Sequence, residues 1–317
     1  MERSDVSIAM VGEGVIARKH LAALAEIDRA RVDLLVGADA DEVERVADAS
    51  DVAAWSTDFE QMLGDDSIDA VVLATPTPLH AEQTLAVLEA GKHVLVEIPM
   101  ADDIDDARRV AAAATASDRV AMVCHTRRFR APTQWIRREM AGGLELQHLM
   151  VQTLFLRRDN MNSLGVKRSW ADHLLWHHAC HSVDLFHYLT GEEIADVTAL
   201  QGPVHPDLGI AMDMTLACRS ASGSLLSIVL SFNNDGPFGT TTRYICDRGT
   251  WIAQYDGMTD GSGDAIDARS ELGRAEGIEE QDREFVDAIV EGRRPEASIV
   301  EGLASMETLE RLARLLT

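Results

Sequence analysis

Cysteine is scarce in this 317-residue chain, with four residues (Cys124, Cys180, Cys218 and Cys246) and no C-x-x-C pair. That spacing speaks against a disulfide framework and leaves free, mostly buried thiols in a reducing compartment as the simplest reading. Long apolar runs are also lacking. No stretch approaches the roughly 20 residues of a bilayer span, and Glu2-Arg3-Ser4-Asp5 leads straight into a strand pattern rather than a signal peptide. A soluble, cytoplasmic protein with no membrane partner is expected. Positive charge is in deficit: 29 Lys and Arg stand against 53 Asp and Glu, a net charge of −24, which argues against nucleic acid as a partner. A local basic pocket can still sit inside an acidic surface, and eleven histidines with several mid-chain arginine pairs point to one.

What is present is sharpest at the start. The apolar run Ile8-Ala9-Met10-Val11 enters Gly12-Glu13-Gly14-Val15-Ile16-Ala17, followed by an alanine-rich helical pattern. This is the strand, glycine turn and helix start that hold a dinucleotide pyrophosphate. Gly12 makes the turn, Gly14 lets backbone approach phosphate, and the helix N-terminus at Val15 and Ile16 supplies N–H donors. The next apolar run ends at Asp39, about 20 residues on, where a carboxylate can bond the adenosine ribose. Asp39 favours NAD, while Arg18 and Lys19 offer a possible hold on the 2′-phosphate of NADP, so either cofactor is compatible.

Five apolar runs alternate with helical patterns up to about residue 125: Ser7 to Val11, Val32 to Val36, Asp69 to Ala74, His93 to Glu97 and Val120 to Cys124. Runs without polar alternation imply strands buried on both faces, hence a doubly wound parallel α/β sheet that binds ligand beyond its carboxyl ends. Those ends carry Thr75, Pro76 and His80, then Glu97 and Pro99, then His125-Thr126-Arg127-Arg128. After residue 126 the pattern changes to alternating strands and hairpin turns at Ser222-Gly223 and Arg248-Gly249. An α+β domain with a mostly antiparallel sheet is expected over 126–317, after a Rossmann domain over 1–125. Gly257 to Gly263 reads as a flexible loop, and amphipathic helices Ile278 to Glu291 and Ile299 to Leu316 close the chain.

Ser169 to Asp172 resembles a capping box and Gly191 a helix stop, predicting one helix over Trp170 to Thr190. His173, His177, His181 and Asp184 are then four, four and three apart on one stripe. Zinc binding, polar contacts to the cofactor domain, and catalysis by an imidazole base with a carboxylate to orient it compete for that stripe. A dinucleotide site upstream favours catalysis, with His181 or His177 as base and Asp184 orienting His181, and no metal.

The glycine turn, Ala74-Thr75-Pro76 with His80 beyond, Gly91-Lys92-His93-Val94 leading to Glu97-Ile98-Pro99, and His181-x-x-Asp184 together resemble the glucose–fructose oxidoreductase, inositol dehydrogenase and rhizopine catabolism family. The resemblance covers the whole chain. It implies a Rossmann domain joined to an open-faced α+β domain, NAD or NADP as cofactor, and a homodimer or homotetramer formed through the open sheet. The family's usual Glu-Lys-Pro has Ile98 in place of its lysine, and its first helix acid is His177 here. Longer strings, among them His125 to Phe129, Asp172 to Ala179, Gly209 to Met214 and Ser231 to Pro237, resemble a branch that oxidises a hemiacetal from aromatic-ring cleavage. That likeness implies a small dicarboxylate substrate. Arg127, Arg128 and Arg168 become candidate clamps, with Trp170, His173 and His178 beside them, and Arg157, Arg158 and Lys167 as further candidates. The competing readings are a dehydrogenase of an acidic sugar and a nonenzymatic dinucleotide-binding regulator.

Overall fold

In the computed structural model, residues 5–162, 165–168, 170–254, 257–272 and 277–316 are described. The chain divides into two units, Met1–Cys124 with Ile278–Leu303, and His125–Gly277 with Ala304–Thr317. The boundary at 124 lies one residue from the expected one. Residues 278–303, expected in the second domain, instead return to the first.

The first unit holds a six-stranded sheet in the order β3-β2-β1-β4-β5-β6. Its strands are β1 (Val6–Val11), β2 (Ala30–Val36), β3 (Ala54–Ser56), β4 (Ala70–Leu73), β5 (His93–Val96) and β6 (Ala121–Val123), all paired in parallel. Every residue of β1, β4 and β6 is buried, as unalternated apolar runs require when helices cover both faces. The helices are α1 (Val15–Leu24), α2 (Ala40–Ala49), α3 (Phe59–Leu63), α4 (His80–Glu89) and α5 (Ile104–Ala116). Asp39, Asp58 and Asp103 cap α2, α3 and α5 through their side chains. Strand order reverses between β1 and β4, the switch point at which such sheets bind ligands. The returning segment adds a bridge between Ser298 and Met122 at the β6 edge.

The second unit begins with α6 (Ala131–Ala141) and β7 (Leu146–Leu154), and later has α7 (Cys180–Thr190). Its remaining strands are β8 (Ile194–Gln201), β9 (Asp213–Ser220), β10 (Leu225–Ser231), β11 (Gly239–Cys246), β12 (Gly249–Gln254), β13 (Gly257–Asp260) and β14 (Ala265–Ile266). They form an eight-stranded sheet, β14-β13-β12-β11-β7-β10-β9-β8, in which only β7 and β10 pair in parallel. Burial alternates along β7, β9 and β10, so one face is core and the other open. Short helix α8 (Ala268–Leu272) and two longer ones, α9 (Ile278–Glu291) and α10 (Ile299–Ala313), complete the described chain. The segment expected to be a flexible loop at 257–263 instead supplies β13.

The histidine helix also differs from expectation. Ser169 lies outside the described residues, and His173 is the N-cap, accepting from the Leu175 N–H through its own side chain (3.2 Å). Leu174–Ala179 winds as a π-helix before α7 continues regularly. The first turn is wider than the spacing argument assumed, so the stripe from 173 to 184 is not straight.

Candidate active site

The cofactor half is built on the first unit. Gly12 has φ of 121°, and a Cβ there would lie 2.5 Å from the Ala74 carbonyl oxygen, so glycine alone fits between β1 and β4. A Cβ at Gly14 would meet nothing within 4 Å, and as N-cap of α1 this residue offers no side-chain cap. The first N–H groups of α1, including those of Val15 and Ile16, therefore lack a side-chain cap beside an open cradle, which fits a pyrophosphate. At the end of β2, Asp39 Oδ1 accepts the Glu42 N–H (3.2 Å), and Glu13 Oε1 accepts those of Ala38 and Asp39 (3.1 and 3.3 Å). The adenosine end is thus lined by two carboxylates. Arg18, one of the two possible holds on a 2′-phosphate, is paired with Glu42 instead.

At the carboxyl ends of β4 and β5 the expected residues separate into two kinds. Thr75 is half-buried, its hydroxyl bonded to Gln83 (2.6 Å), and Pro76 is exposed. His80 is buried with Nδ1 2.7 Å from the Pro99 carbonyl and Nε2 2.8 Å from that of Thr75. Both nitrogens are taken, which makes His80 a strut between two strand ends rather than a cofactor ligand. Pro99, also buried, follows a cis peptide bond. Glu97 points one oxygen at His20 and the other at the Ile98 N–H (3.1 and 3.0 Å). Among the described residues one group, His20, Glu97 and Cys124, has donors close enough together to hold a metal.

The second unit brings His125, Arg127, Arg128, Arg130 and the α7 histidines together. Arg128 is fully engaged in the core. Its Nε and Nη2 donate to the two oxygens of Asp184 (2.9 and 2.6 Å), and Ser305 and His125 also approach that carboxylate (both 3.4 Å). Burial would raise the Asp184 pKa, but Arg128 and His125 outweigh it and hold it below the ordinary range. Two expectations are corrected here. Asp184 orients Arg128 rather than His181, and Arg128 is a buried ion-pair member rather than a substrate clamp.

Arg127 is the opposite case. Its guanidinium donates to the hydroxyls of Ser182 (2.8 Å) and Thr153 (3.5 Å) and to no carboxylate among the described residues. Arg130, which the sequence argument passed over, likewise has no acidic partner there. The two line one narrow cavity with Thr133, Thr240, Thr242 and Tyr244. Burial and then the Arg130 charge push the Arg127 pKa down to about 10. Two half-buried guanidiniums lining one cavity with hydroxyl-bearing side chains are a candidate anion site.

The histidines divide by what holds their nitrogens. His177 Nδ1 accepts the His173 N–H (2.9 Å) while its ring stacks on Trp170 (4.5 Å between centroids). Burial, outweighing Asp172, pushes its pKa down to about 4. With Nδ1 occupied as acceptor, Nε2 carries the hydrogen and His177 is a donor rather than a base. His173 is fixed similarly by Leu175. His178 Nε2 lies 3.0 Å from Asp172 Oδ1. Arg157 also pairs with Asp172, and Arg168 stands 3.9 Å from it. Arg168 further donates to the Met161 carbonyl (2.6 Å), and Arg158 is an exposed residue bonded to Asn233 (3.1 Å). Of His173, His177, His178 and His181, only His181 has a buried Nδ1 with no hydrogen-bond partner among the described residues. Burial, then Arg127, His125, His178 and Arg130, push its pKa well below the ordinary value, so it is a neutral acceptor at pH 7.

Comparison with known proteins supplies the family. Residues 6–125 match the "Oxidoreductase family, NAD-binding Rossmann fold" model, and residues 131–271 match "Bacterial oxidoreductases, C-terminal". A 4-carboxy-2-hydroxymuconate-6-semialdehyde dehydrogenase from Sphingobium sp. is 47% identical over 96% of this chain and 97% of its own. An inositol 2-dehydrogenase from Mycolicibacterium vanbaalenii is 28% identical over 80% of this chain and 74% of its own. Among solved structures, an oxidoreductase domain protein from Kribbella flavida shares the fold, with a TM-score of 0.86 at 23% identity over 98% of this chain and 97% of that one. The glycine turn, the uncapped α1 and these matches converge: the protein is an NAD(P)-dependent dehydrogenase, and the chain belongs to the GFO/IDH/MocA oxidoreductase family.

Proposed function

We propose that the protein oxidises the cyclic hemiacetal of 4-carboxy-2-hydroxymuconate-6-semialdehyde to the lactone 2-pyrone-4,6-dicarboxylate. The observation that carries this reading is the near full-length, 47% identical relative bearing that activity in its name. The anion site supports it, because a substrate with two carboxylates needs guanidiniums that no protein acid has already claimed. Bound NAD(P) supplies the hydride acceptor. Arg127 and Arg130 hold a substrate carboxylate, and His181 takes the hemiacetal hydroxyl proton. A hemiacetal hydroxyl is more acidic than a simple secondary alcohol, so a neutral imidazole serves where Ile98 replaces the usual lysine. The substrate's own charge assists: a carboxylate on Arg127 and Arg130 offsets the cations that depress His181, raising its basicity when the proton must move.

His173, His177 and Trp170 present donors and a ring face near the same segment, and Asp172 orients His178. Glu13 and Asp39 at the adenosine end favour NAD over NADP, whose extra phosphate would meet two carboxylates. Exposed Met150, Leu225 and Val229 on strands of the open sheet support a homodimer or homotetramer that covers it. Four buried free cysteines are consistent with a cytoplasmic setting.

The test is absorbance at the reduced-nicotinamide band, with the 4,5-cleavage product of protocatechuate and NAD or NADP in parallel. Reduced cofactor appearing in step with the pyrone dicarboxylate is the expected result. No reduction by protein that binds cofactor would discard the assignment in favour of an acidic-sugar dehydrogenase or a regulator.

A further inference from the structure

Beneath the carboxyl end of β5, within the first unit, lies a buried array of three ionisable side chains. His20 of α1 faces a carboxylate at each ring nitrogen. Nδ1 lies 2.8 and 3.0 Å from the oxygens of Asp282 on α9, and Nε2 lies 3.1 Å from Glu97 Oε1. His20 and Asp282 are wholly buried and Glu97 nearly so, with side-chain exposures of 0%, 0% and 14%. Gln281 donates to Asp282 (3.2 Å), and Cys124 Sγ lies 3.9 Å from Nε2.

The hydrogen bonds fix the array's charge. A ring nitrogen facing a carboxylate oxygen needs a proton between them, and two such contacts around one imidazole need two protons. The array is then an imidazolium between two carboxylates, or a neutral imidazole between a carboxylate and a carboxylic acid. Both sum to one negative charge. The environment agrees: burial alone would depress His20, but Asp282, Cys124 and Glu97 outweigh it and hold its pKa well above the usual value. Burial pushes the Cys124 thiol far up, so it stays neutral and adds nothing. His80, which acts electrostatically on Glu97 and on the nearby Asp102, has its ring nitrogens on carbonyls and is kept in every variant below.

The pyrophosphate belongs at the Gly12 turn and the adenosine ribose toward β2, which leaves the carboxyl ends of β4 to β6 for the nicotinamide. The oxidised ring carries a positive charge and the reduced ring none. We propose that the Asp282–His20–Glu97 array holds one buried negative charge beneath the nicotinamide end of the site and so makes the enzyme bind the oxidised cofactor in preference to the reduced one. His20 and Asp282 are positioning residues in this scheme, acting through Glu97.

The test is fluorescence titration of the whole protein with the oxidised and reduced forms of whichever nicotinamide dinucleotide it binds, with ADP-ribose as control and no substrate present. The double variant Asp282→Asn with Glu97→Gln keeps the shapes of both side chains and, with no carboxylate left beside His20, removes the negative charge. The ratio of Kd for reduced to oxidised cofactor should fall about tenfold, with ADP-ribose affinity unchanged. Both Kd values moving together at constant ratio would overturn the proposal, because a merely structural role predicts that result. Asp282→Leu with Glu97→Gln is the second variant, equally without a carboxylate beside His20, and decides the matter if the first does not fold; an unchanged ratio there overturns it equally. Stoichiometric metal in the purified protein, lost in Cys124→Ser, would also overturn it by replacing the shared proton with a cation. Since no substrate is used, the outcome is separate from that of the lactone-forming activity.

Discussion

Two imidazoles, one in each unit, sit in opposite surroundings. His20 has a carboxylate on each side and is held in an array that keeps its extra proton. His181 stands near Arg127 and Arg130, has no carboxylate on its Nδ1, and is held neutral. In the two proposals the same side chain is an electrostatic anchor in one place and a proton acceptor in the other. Neighbouring charge decides the role, and burial raises the stakes of both.

The strongest way to break this comparison is to remove the acceptor. His181→Ala should lower kcat about 10²- to 10⁴-fold, the usual worth of a general base, with little change in substrate affinity. A kcat within about twofold of the parent in steady-state assays would pass the role to His178, the histidine that Asp172 orients.

Next in size is the buried ion pair beside it. Arg128→Ala leaves the buried Asp184 without its guanidinium, with only the longer contacts to His125 and Ser305, so chemical denaturation should show a loss of about 3 kcal/mol. The pH dependence has a definite sign. The folded-state pKa of Asp184 is depressed, so the stabilisation is present above the ordinary carboxylate pKa and is lost as pH falls through the depressed value. A stability unchanged in Arg128→Ala would mean the pair is not formed in solution.

The anion site sharpens the contrast. Arg130→Gln should raise KM for the dicarboxylate about 10- to 100-fold, the worth of a charged hydrogen bond. It should also move the acid limb of kcat/KM. With the parent's His181 depressed, activity should persist below pH 6.5, and removing one cation should shift that limb upward. A limb that stays put or moves down would show that Arg130 does not act on His181.

The smallest effect concerns the cofactor. NAD should be used at least about tenfold better than NADP, and Asp39→Ser, which keeps a cap for α2, should narrow the gap. Equal kcat/KM for the two cofactors in the parent would remove Glu13 and Asp39 from this role.

Much of the first unit was legible because its signals are local. Gly12 and Gly14, the unalternated runs that became β1, β4 and β5, and the capping aspartates each act within a few residues. β3 escaped notice because three residues, two of them exposed, carry no apolar run. The return of residues 278–303 escaped because its partners are distant in sequence, as His20 and Asp282 are. Spacing placed Asp184 beside His181, but the Arg128 guanidinium claimed that carboxylate, and periodicity cannot register such competition. Arg130 was readable in Arg127-Arg128-Phe129-Arg130 only to an argument that asked which arginine lacks an acid.

The π-wound turn at Leu174–Ala179 carries a last consequence. Such a turn holds one residue more than an α-helical turn of the same rise. Deleting one residue while the segment relaxes to α-winding would keep what lies upstream in register with α7, whereas relaxing it without losing a residue would rotate everything upstream by about 100° relative to α7. His173 and Asp172 would then swing away from the side of the helix that carries His181 while every residue type stayed the same. For this stretch of chain the winding, and not the residue types alone, sets which way His173 and Asp172 face relative to His181.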